Sequence, residues 1–384
     1  MDTQVKGSRV KKSRDERDTL TKSSKDLGLT EYWAEREVIE NPKYRRIAVP
    51  HVWHWKDMYP LLAKAADIVP MEEAYRRALL YSNPGLAPKA WITTTIYGGC
   101  SWYNPGESAE VHRHPASASR FVLSGDGGWT NVEGEKCMMS RGDLILTPNG
   151  TWHNHGNDGR KPVIWVDLLD IPVVENLNNS WVMEYDYYEP KRGGGTVKRT
   201  IQAVSKSADY SAQVYGAGGV MPTFLSHHRG QGIGSPMYVY RWAATLAALD
   251  RLRALAPDPC DGIAVEYVNP TTGRPVIPTL SYGVHMLPAG FRAEFQRSTS
   301  STVYCVLQGR GETEMDGGGT LRWEENDLFV VPSGTWYRNL NRNPKADLIL
   351  YAVTDAPALA AFDILHRHRR TKDGQVLARR SPWS

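Results

Sequence analysis

The 384-residue sequence predicts a mainly β chain of two small barrels, preceded by a helical or irregular N-terminal extension. Three observations carry that expectation. Residues 105–170 are a run of short strand-like segments punctuated by Pro-Gly and Gly-Asp turns. A second run echoes the first: Gly125, Asp143, Pro148 and Trp152 recur as Gly309, Asp327, Pro332 and Trp336, each 184 residues on. The length suits two medium domains or one large double domain, and a hydrophobic content of 41% is enough for a sizeable core.

Residues 1–28 are charged, mixed in sign and poor in apolar side chains, which predicts a disordered arm or one ordered by a neighbouring subunit. Residues 29–85 form the helical extension, with one helical stretch at residues 60–66. Pro70 opens another over residues 71–83, with acids in its first turn. The first barrel is placed at residues 86–180. Its opening strand is rich in β-branched and aromatic residues but carries Gly98 and Gly99, which predict a bulge or a backbone held close to something bulky. Residues 181–260 read as a linker with a flexible glycine-rich loop at 191–199 and an amphipathic helix at 244–256. The second barrel occupies residues 261–355. Residues 356–384 are a basic tail whose His366 and His368 are flanked by arginines that repel a metal, so a solvated or subunit-contacting tail is expected.

Composition excludes several classes. A net charge of +4 with no basic helical stripe argues against nucleic acid as partner. No apolar run is long enough to span a membrane, and the N-terminus lacks a signal-peptide pattern. Cys100, Cys137, Cys260 and Cys305 are scattered without a Cys-x-x-Cys pair, which predicts free thiols in a reducing cytoplasm.

The chemistry concentrates in residues 105–170. Side chains at i and i+2 of a strand share a face, so His112 and His114 can present two imidazoles to one point inside a barrel. His153, on a strand returning across the barrel, can supply a third. Three neutral imidazoles suit a first-row divalent metal and leave coordination positions open. In the second repeat His153 becomes Tyr337, and the His-x-His pair becomes Phe295 and Arg297 or, in the other register, Gln296 and Ser298. One metal site per chain is therefore expected.

These residues resemble the two motifs of the cupin superfamily. Gly142, Pro148, Gly150, His153 and Asn157 stand where the second motif asks, and Gly106, His112 and His114 where the first does. Ala118 stands where that motif usually carries a glutamate ligand, so the metal would keep its full dipositive charge and favour a substrate that brings its own anionic oxygens. At residues 112–121, 142–157 and 162–172 the chain is similar to gentisate 1,2-dioxygenase and its salicylate and 1-hydroxy-2-naphthoate relatives. Residues 83–85, 235–242 and 267–273 extend the likeness beyond the metal motif.

The resemblance implies a bicupin of two jelly-roll barrels, one Fe(II) per chain in the first, and a cytoplasmic homotetramer. It implies O2-dependent cleavage of a small aromatic hydroxy acid between its carboxyl- and hydroxyl-bearing carbons. Gentisate, salicylate, a 5-substituted salicylate and 1-hydroxy-2-naphthoate all suit that chemistry. Arg120, in strand phase with His114, is expected to take the substrate carboxylate, or else to pair with a structural acid such as Asp167. Arg76 is the preferred substrate-facing arginine before the Asn-Pro-Gly element, with Arg77 the other choice. Tyr97 and Gly99 are expected to line a roomy pocket. His155 shares a face with His153 and is read as an acid/base or hydrogen-bonding group rather than a fourth ligand. Asp167, a carboxylate in an apolar strand, is read as orienting a histidine or Arg120. A Zn or Mn isomerase and a non-catalytic ligand-binding cupin are the readings from other classes.

Overall fold

The computed structural model describes residues 2–40, 48–184, 187–199, 204–218, 220–224 and 234–380. The chain divides into two compact units, residues 1–46 and 47–384. In the first, Asp2–Asp26 and Tyr32–Glu40 are helices. Asp2–Asp26 is helical where composition predicted no fold of its own. The segment holds no proline to break a helix.

The second unit carries two barrels of antiparallel strands. One sheet of the first barrel runs in the order Val239–Tyr240, Leu144–Thr147, Ala118–Ser124, Val163–Leu169, Tyr97–Tyr103 and Ala78–Leu80. The other runs Met183–Glu184, His112–Arg113, His153–Asn157, Gly128–Val132 and Glu135–Met138. The second barrel repeats the arrangement. One sheet runs His51–Trp53, Leu328–Val331, Thr302–Gln308, Leu348–Thr354, Ser281–Leu287 and Ile263–Glu266. Its other sheet contains Thr320–Glu324, Arg310–Met315, Tyr337–Leu340, Phe295–Ser298, Arg367–Arg370 and Val376–Ala378. No helix among the described residues is long and apolar enough to cross a membrane.

The barrels exchange segments. Val239–Tyr240 precedes the second barrel in sequence yet pairs with Leu144–Thr147 of the first. His51–Trp53 precedes the first barrel yet pairs with Leu328–Val331 of the second. The helices that follow do the same. The backbone N–H of Trp242, which opens the helix Trp242–Leu252, donates to Asp143 at 2.8 Å, and that of Trp55, which opens Trp55–Ile68, donates to Asp327 at 2.7 Å.

The two large sheets are buried on both faces, which explains their near-continuous apolar runs. One face of each fills its own barrel: Val122, Ile145 and Trp165 in the first, Val306, Phe329 and Leu350 in the second. The other faces pack into one core that joins Phe121, Leu144 and Val166 to Val303, Val330 and Tyr351. Phe121 and Tyr351 stack there with centroids 4.0 Å apart.

Several sequence expectations change. The helix from Pro70 covers only Met71–Ala74 and stops at Tyr75, whose φ is +56°. Residues 78–80, read as helix, are instead an edge strand, because pairing with Ser101, Cys100 and Gly99 outweighs the helix propensity of Ala and Leu. Gly98 and Gly99 lie in an unbroken ladder rather than a bulge. Gly98 allows close approach: a Cβ there would stand 2.6 Å from the Asp167 carbonyl oxygen. Residues 191–199 are part of a hairpin in which Tyr187–Pro190 pairs with Thr196–Arg199. The basic tail adds strands to the second barrel, its cations neutralised as Arg369 pairs with Glu294 and Arg370 with Asp316.

Candidate functional site

The first barrel encloses a cavity of 280 Å³. One wall is the strand Tyr97–Tyr103, whose alternate residues Tyr97, Gly99, Ser101 and Tyr103 line it. The neighbouring strand contributes Trp165, Asp167 and Leu169, which pair in register with Ser101, Gly99 and Tyr97. Arg120, His114 and His155 complete the interior, and Arg76 closes one side. Seven of the nine sequence-selected residues therefore line one space. The other two, His112 and His153, are cross-strand partners with ring centroids 4.2 Å apart. His114 lies 5.5 Å from His112 and 4.9 Å from His153 by the same measure. Larger cavities exist, of 530 Å³ beside Arg310 and Arg342 and 510 Å³ beside Met237 and Tyr267, but neither is lined by more than one histidine.

Three of the imidazoles are fixed in the same way. Nδ1 of His112 donates to the Glu110 carbonyl at 2.9 Å, that of His114 to Ala116 at 2.7 Å, and that of His153 to Thr151 at 2.8 Å. A carbonyl oxygen can only accept, so each Nδ1 carries the proton and each Nε2 keeps its lone pair. Nε2 of His153 is buried without a hydrogen-bond partner among the described residues. Nε2 of His112 faces the Arg76 guanidinium. Burial, then the charge of Arg76, pushes His112 down to about 2 and His114 to about 4, so both are neutral.

His155 is held differently. Its Nε2 accepts from the Arg120 guanidinium at 2.9 Å, and its Nδ1 donates to Thr130 Oγ1 at 3.0 Å. Burial and the Arg120 charge hold it well below the ordinary histidine value. Two triplets can therefore be drawn. His112, His153 and His155 bring one ring nitrogen each within 4.8 Å of one another. His112, whose Nε2 meets Arg76, and His153 are common to both triplets; the third member is either His114, which shares their carbonyl-locked tautomer, or His155, whose lone pair is engaged by Arg120.

Arg120 is buried. Its Nε stands 3.3 Å from Asp167, and it donates to Thr147 Oγ1 at 3.2 Å as well as to His155. Asp167 also accepts from Ser101 Oγ at 2.6 Å and Trp165 Nε1 at 2.9 Å. Burial pushes its carboxyl up, opposed by the Arg120 charge and those two donors. Of the two adjacent arginines, Arg77 is committed to Glu107 and to the carbonyls of Val69 and Trp102, while Arg76 faces the cavity. Two guanidinium groups against one carboxylate leave the cavity suited to an anion.

Sequence reasoning missed several lining residues. Ser101 and Tyr103 were within reach of it, since they continue the i, i+2 phase of Tyr97 and Gly99. Trp165 follows from Asp167 by the same rule; it stacks on Tyr103 with centroids 4.7 Å apart. Ala78 and Leu80 were hidden, because their stretch reads as helix. No spacing signal points to Thr130 or Thr147.

A cupin-domain family model matches residues 102–170. Gentisate 1,2-dioxygenase 1 of Aquipseudomonas alcaligenes is 33% identical over 351 residues, covering 89% of this chain and 95% of that protein. A 5-aminosalicylate 1,2-dioxygenase of Comamonas is 36% identical over 323 residues, 82% of this chain and 80% of that one. The crystal structure of salicylate 1,2-dioxygenase from Pseudoaminobacter salicylatoxidans, in adduct with gentisate, superposes with a TM-score of 0.81 at 32% identity, covering 93% of this chain and 94% of that one. Likeness of that extent, spanning both barrels, settles kinship: the chain belongs to the gentisate 1,2-dioxygenase-like family of ring-cleaving dioxygenases within the cupins.

Proposed function

We propose that the chain cleaves the ring of a salicylate-type acid with O2, inserting both oxygen atoms between the carboxyl- and hydroxyl-bearing carbons, with Fe(II) held by His112, His114 and His153. Gentisate and salicylates, including 5-substituted ones, are the preferred substrates, and 1-hydroxy-2-naphthoate is the bicyclic alternative. The observation that carries the reading is the shared tautomer of those three imidazoles beside a cavity with a cationic excess. Three Nε2 lone pairs suit a divalent first-row metal, and the unpartnered Nε2 of His153 is the donor most in need of one. We prefer this triplet to the one containing His155, because ligation by His155 would first require Arg120 to give up its hydrogen bond. Iron held there supplies a path for electrons between the aromatic ring and dioxygen.

The chain's own residues do the rest. Arg120 offers a substrate carboxylate two donors in a fixed fork, and Asp167, anchored by Ser101 and Trp165, holds the Nε edge of that fork in place. Once a carboxylate draws the Arg120 N–H groups toward itself, His155 Nε2 becomes the neutral acceptor in reach of a ring hydroxyl proton. The stacked Tyr103–Trp165 pair gives the aromatic ring a flat apolar wall and keeps water off it. Four free, buried cysteines support a reducing cytoplasmic setting, and we infer a homotetramer from the family resemblance.

The test is oxygen uptake by Fe(II)-reconstituted protein, with absorbance followed in parallel. The panel holds gentisate, salicylate, 5-substituted salicylates and 1-hydroxy-2-naphthoate. Stoichiometric uptake with one acid names the substrate. Silence across the panel, with iron verified in the protein, would move the reading to a metal isomerase or a ligand-binding cupin.

A further inference from the structure

We propose that the second barrel binds a small organic acid carrying a hydroxyl or amino group, in a cavity of its own distinct from the dioxygenase site. The space is there: 280 Å³, as large as the cavity of the first barrel and in the corresponding place. Ser281, Gly283 and His285 line it from the strand Ser281–Leu287, and they stand 184 residues after Tyr97, Gly99 and Ser101. Tyr304 and Tyr337 stand where Arg120 and His153 stand in the first barrel. A barrel that only scaffolds its neighbour is expected to close-pack with apolar side chains. This one keeps an opening, and polar side chains such as Glu266, His285 and Arg367 reach it.

The polar groups sort into two ends. At one end Arg367, on a strand that leaves the basic tail, reaches the cavity. Its guanidinium lies 3.5 Å from Asp261, whose oxygens are also taken by Arg379 at 2.7 Å and Gln296 at 2.8 Å. His285 stands beside them, its Nδ1 3.9 Å from Asp261, beyond hydrogen-bond length. Asp261 is thus saturated while Arg367 still has donors to offer. This end matches the Arg120–Asp167–His155 group of the first barrel in kind, rebuilt from other positions. At the other end Glu266 accepts from Ser281 Oγ at 2.6 Å. Strand register separates the ends: Ala264 pairs with His285, and Glu266 pairs with Gly283 two residues along. Lining the same cavity, the hydroxyls of Tyr304 and Tyr337 hydrogen-bond to each other at 2.8 Å. One small molecule can place a carboxylate at Arg367 and a hydroxyl or amino donor within reach of the Glu266 carboxylate, whose oxygens accept more than one hydrogen bond.

The probe is 4-hydroxybenzoate, titrated calorimetrically into the iron-loaded protein under argon. Its hydroxyl is remote from its carboxylate, so it lacks the adjacent pair that the first barrel is proposed to chelate. The expected result is a site that survives Arg120→Gln, is weakened about tenfold or more by Arg367→Gln, and is lost on Ala352→Val, which narrows the cavity without touching a charge. Ala352→Val keeps the test valid if Arg367→Gln unfolds the C-terminal strands. Binding abolished by Arg120→Gln and indifferent to Arg367 and Ala352 would place all of it in the first barrel and overturn the proposal. No binding to any form would mean a water-filled space and overturn it too. The dioxygenase reading stands or falls separately, on oxygen uptake.

Discussion

The two barrels share a frame and differ in what they hold. Asp143 and Asp327, 184 residues apart, each take the first N–H of a helix that leads into the other barrel. Asp170 accepts from Ser117 N at 2.7 Å and from Thr279 at 2.5 Å. Asp355 repeats this with Ser301 N at 2.8 Å and Thr95 at 2.5 Å. His112 pairs with His153 across strands, and Gln296 pairs with Tyr337 in the same place, which selects Gln296 and Ser298 as the counterparts of His112 and His114. The residues that pin the frame recur; those that carry chemistry do not. The repeat therefore separates the scaffold from the site, and it does so without any other sequence for comparison.

The sharpest break in the comparison is a matched pair of substitutions. His153→Ala should abolish iron binding and oxygen uptake while the protein stays folded. Tyr337→Phe, at the corresponding place, should leave iron content at wild-type level. Metal analysis after anaerobic reconstitution, with circular dichroism as the folding control, checks both. Full iron occupancy in His153→Ala would remove that residue from the ligand set. His155→Ala in the same assay decides between the two triplets, since iron should be retained there if His114 is the third ligand.

The next effect is smaller. Arg120→Gln should keep iron and lower kcat/KM by about 30- to 100-fold, the loss of a charge-assisted hydrogen-bonded pair to substrate. Its counterpart Tyr304→Phe should leave kinetics unchanged. Wild-type kinetics in Arg120→Gln would confine that arginine to its pair with Asp167.

What could be read from the sequence follows from range. The imidazoles of His112, His114 and His153 are each locked by a carbonyl two residues away, so their chemistry is local and shows in the motif. Asp143 and Asp327 show as well, because the repeat exposes them, whereas Asp170 and Asp355 emerge only from their hydrogen bonds. The exchange of segments between barrels did not. His51–Trp53 and Val239–Tyr240 are too short to carry a strand pattern, and their partners lie far along the chain. The edge strand Ala78–Leu80 was lost for the same reason, a tertiary pairing overriding local propensity. The tail deceived by its charge: its arginines are matched by acids at strand ends that sequence order does not bring near.

Acidity offers a third handle on the frame. Burial pushes Asp355 up to about 6, although Thr95 and Ser301 donate to it. An unfolded aspartate titrates near its ordinary 3.8. A carboxyl raised on folding binds its proton more tightly in the native state. Its contribution to stability is therefore full below about 4 and is lost as pH rises through about 6, a change of up to about 3 kcal/mol. Asp355→Asn should flatten that part of the stability–pH curve between those limits. Urea melts across the window would show it; a slope equal to wild type would mean that Asp355 titrates as an ordinary carboxylate.

The mildest perturbation cuts one reciprocal hydrogen bond at a time. Thr95→Val removes the donor to Asp355, and Thr279→Val removes the donor to Asp170. Each leaves a buried carboxylate with one partner fewer, a cost of about 1–3 kcal/mol. The pseudo-symmetry predicts losses of similar kind in urea melts, smaller for Thr279→Val because Asp170 also keeps the Ser117 hydroxyl at 2.8 Å. Function should not follow that symmetry. Thr95 lies two residues before Tyr97, at the head of the strand that forms the cavity wall, whereas Thr279 leads into the second barrel. Thr95→Val should therefore raise KM while Thr279→Val leaves it alone. Equal effects on KM would mean that the cavity responds to the joined core of both barrels rather than to the strand that lines it.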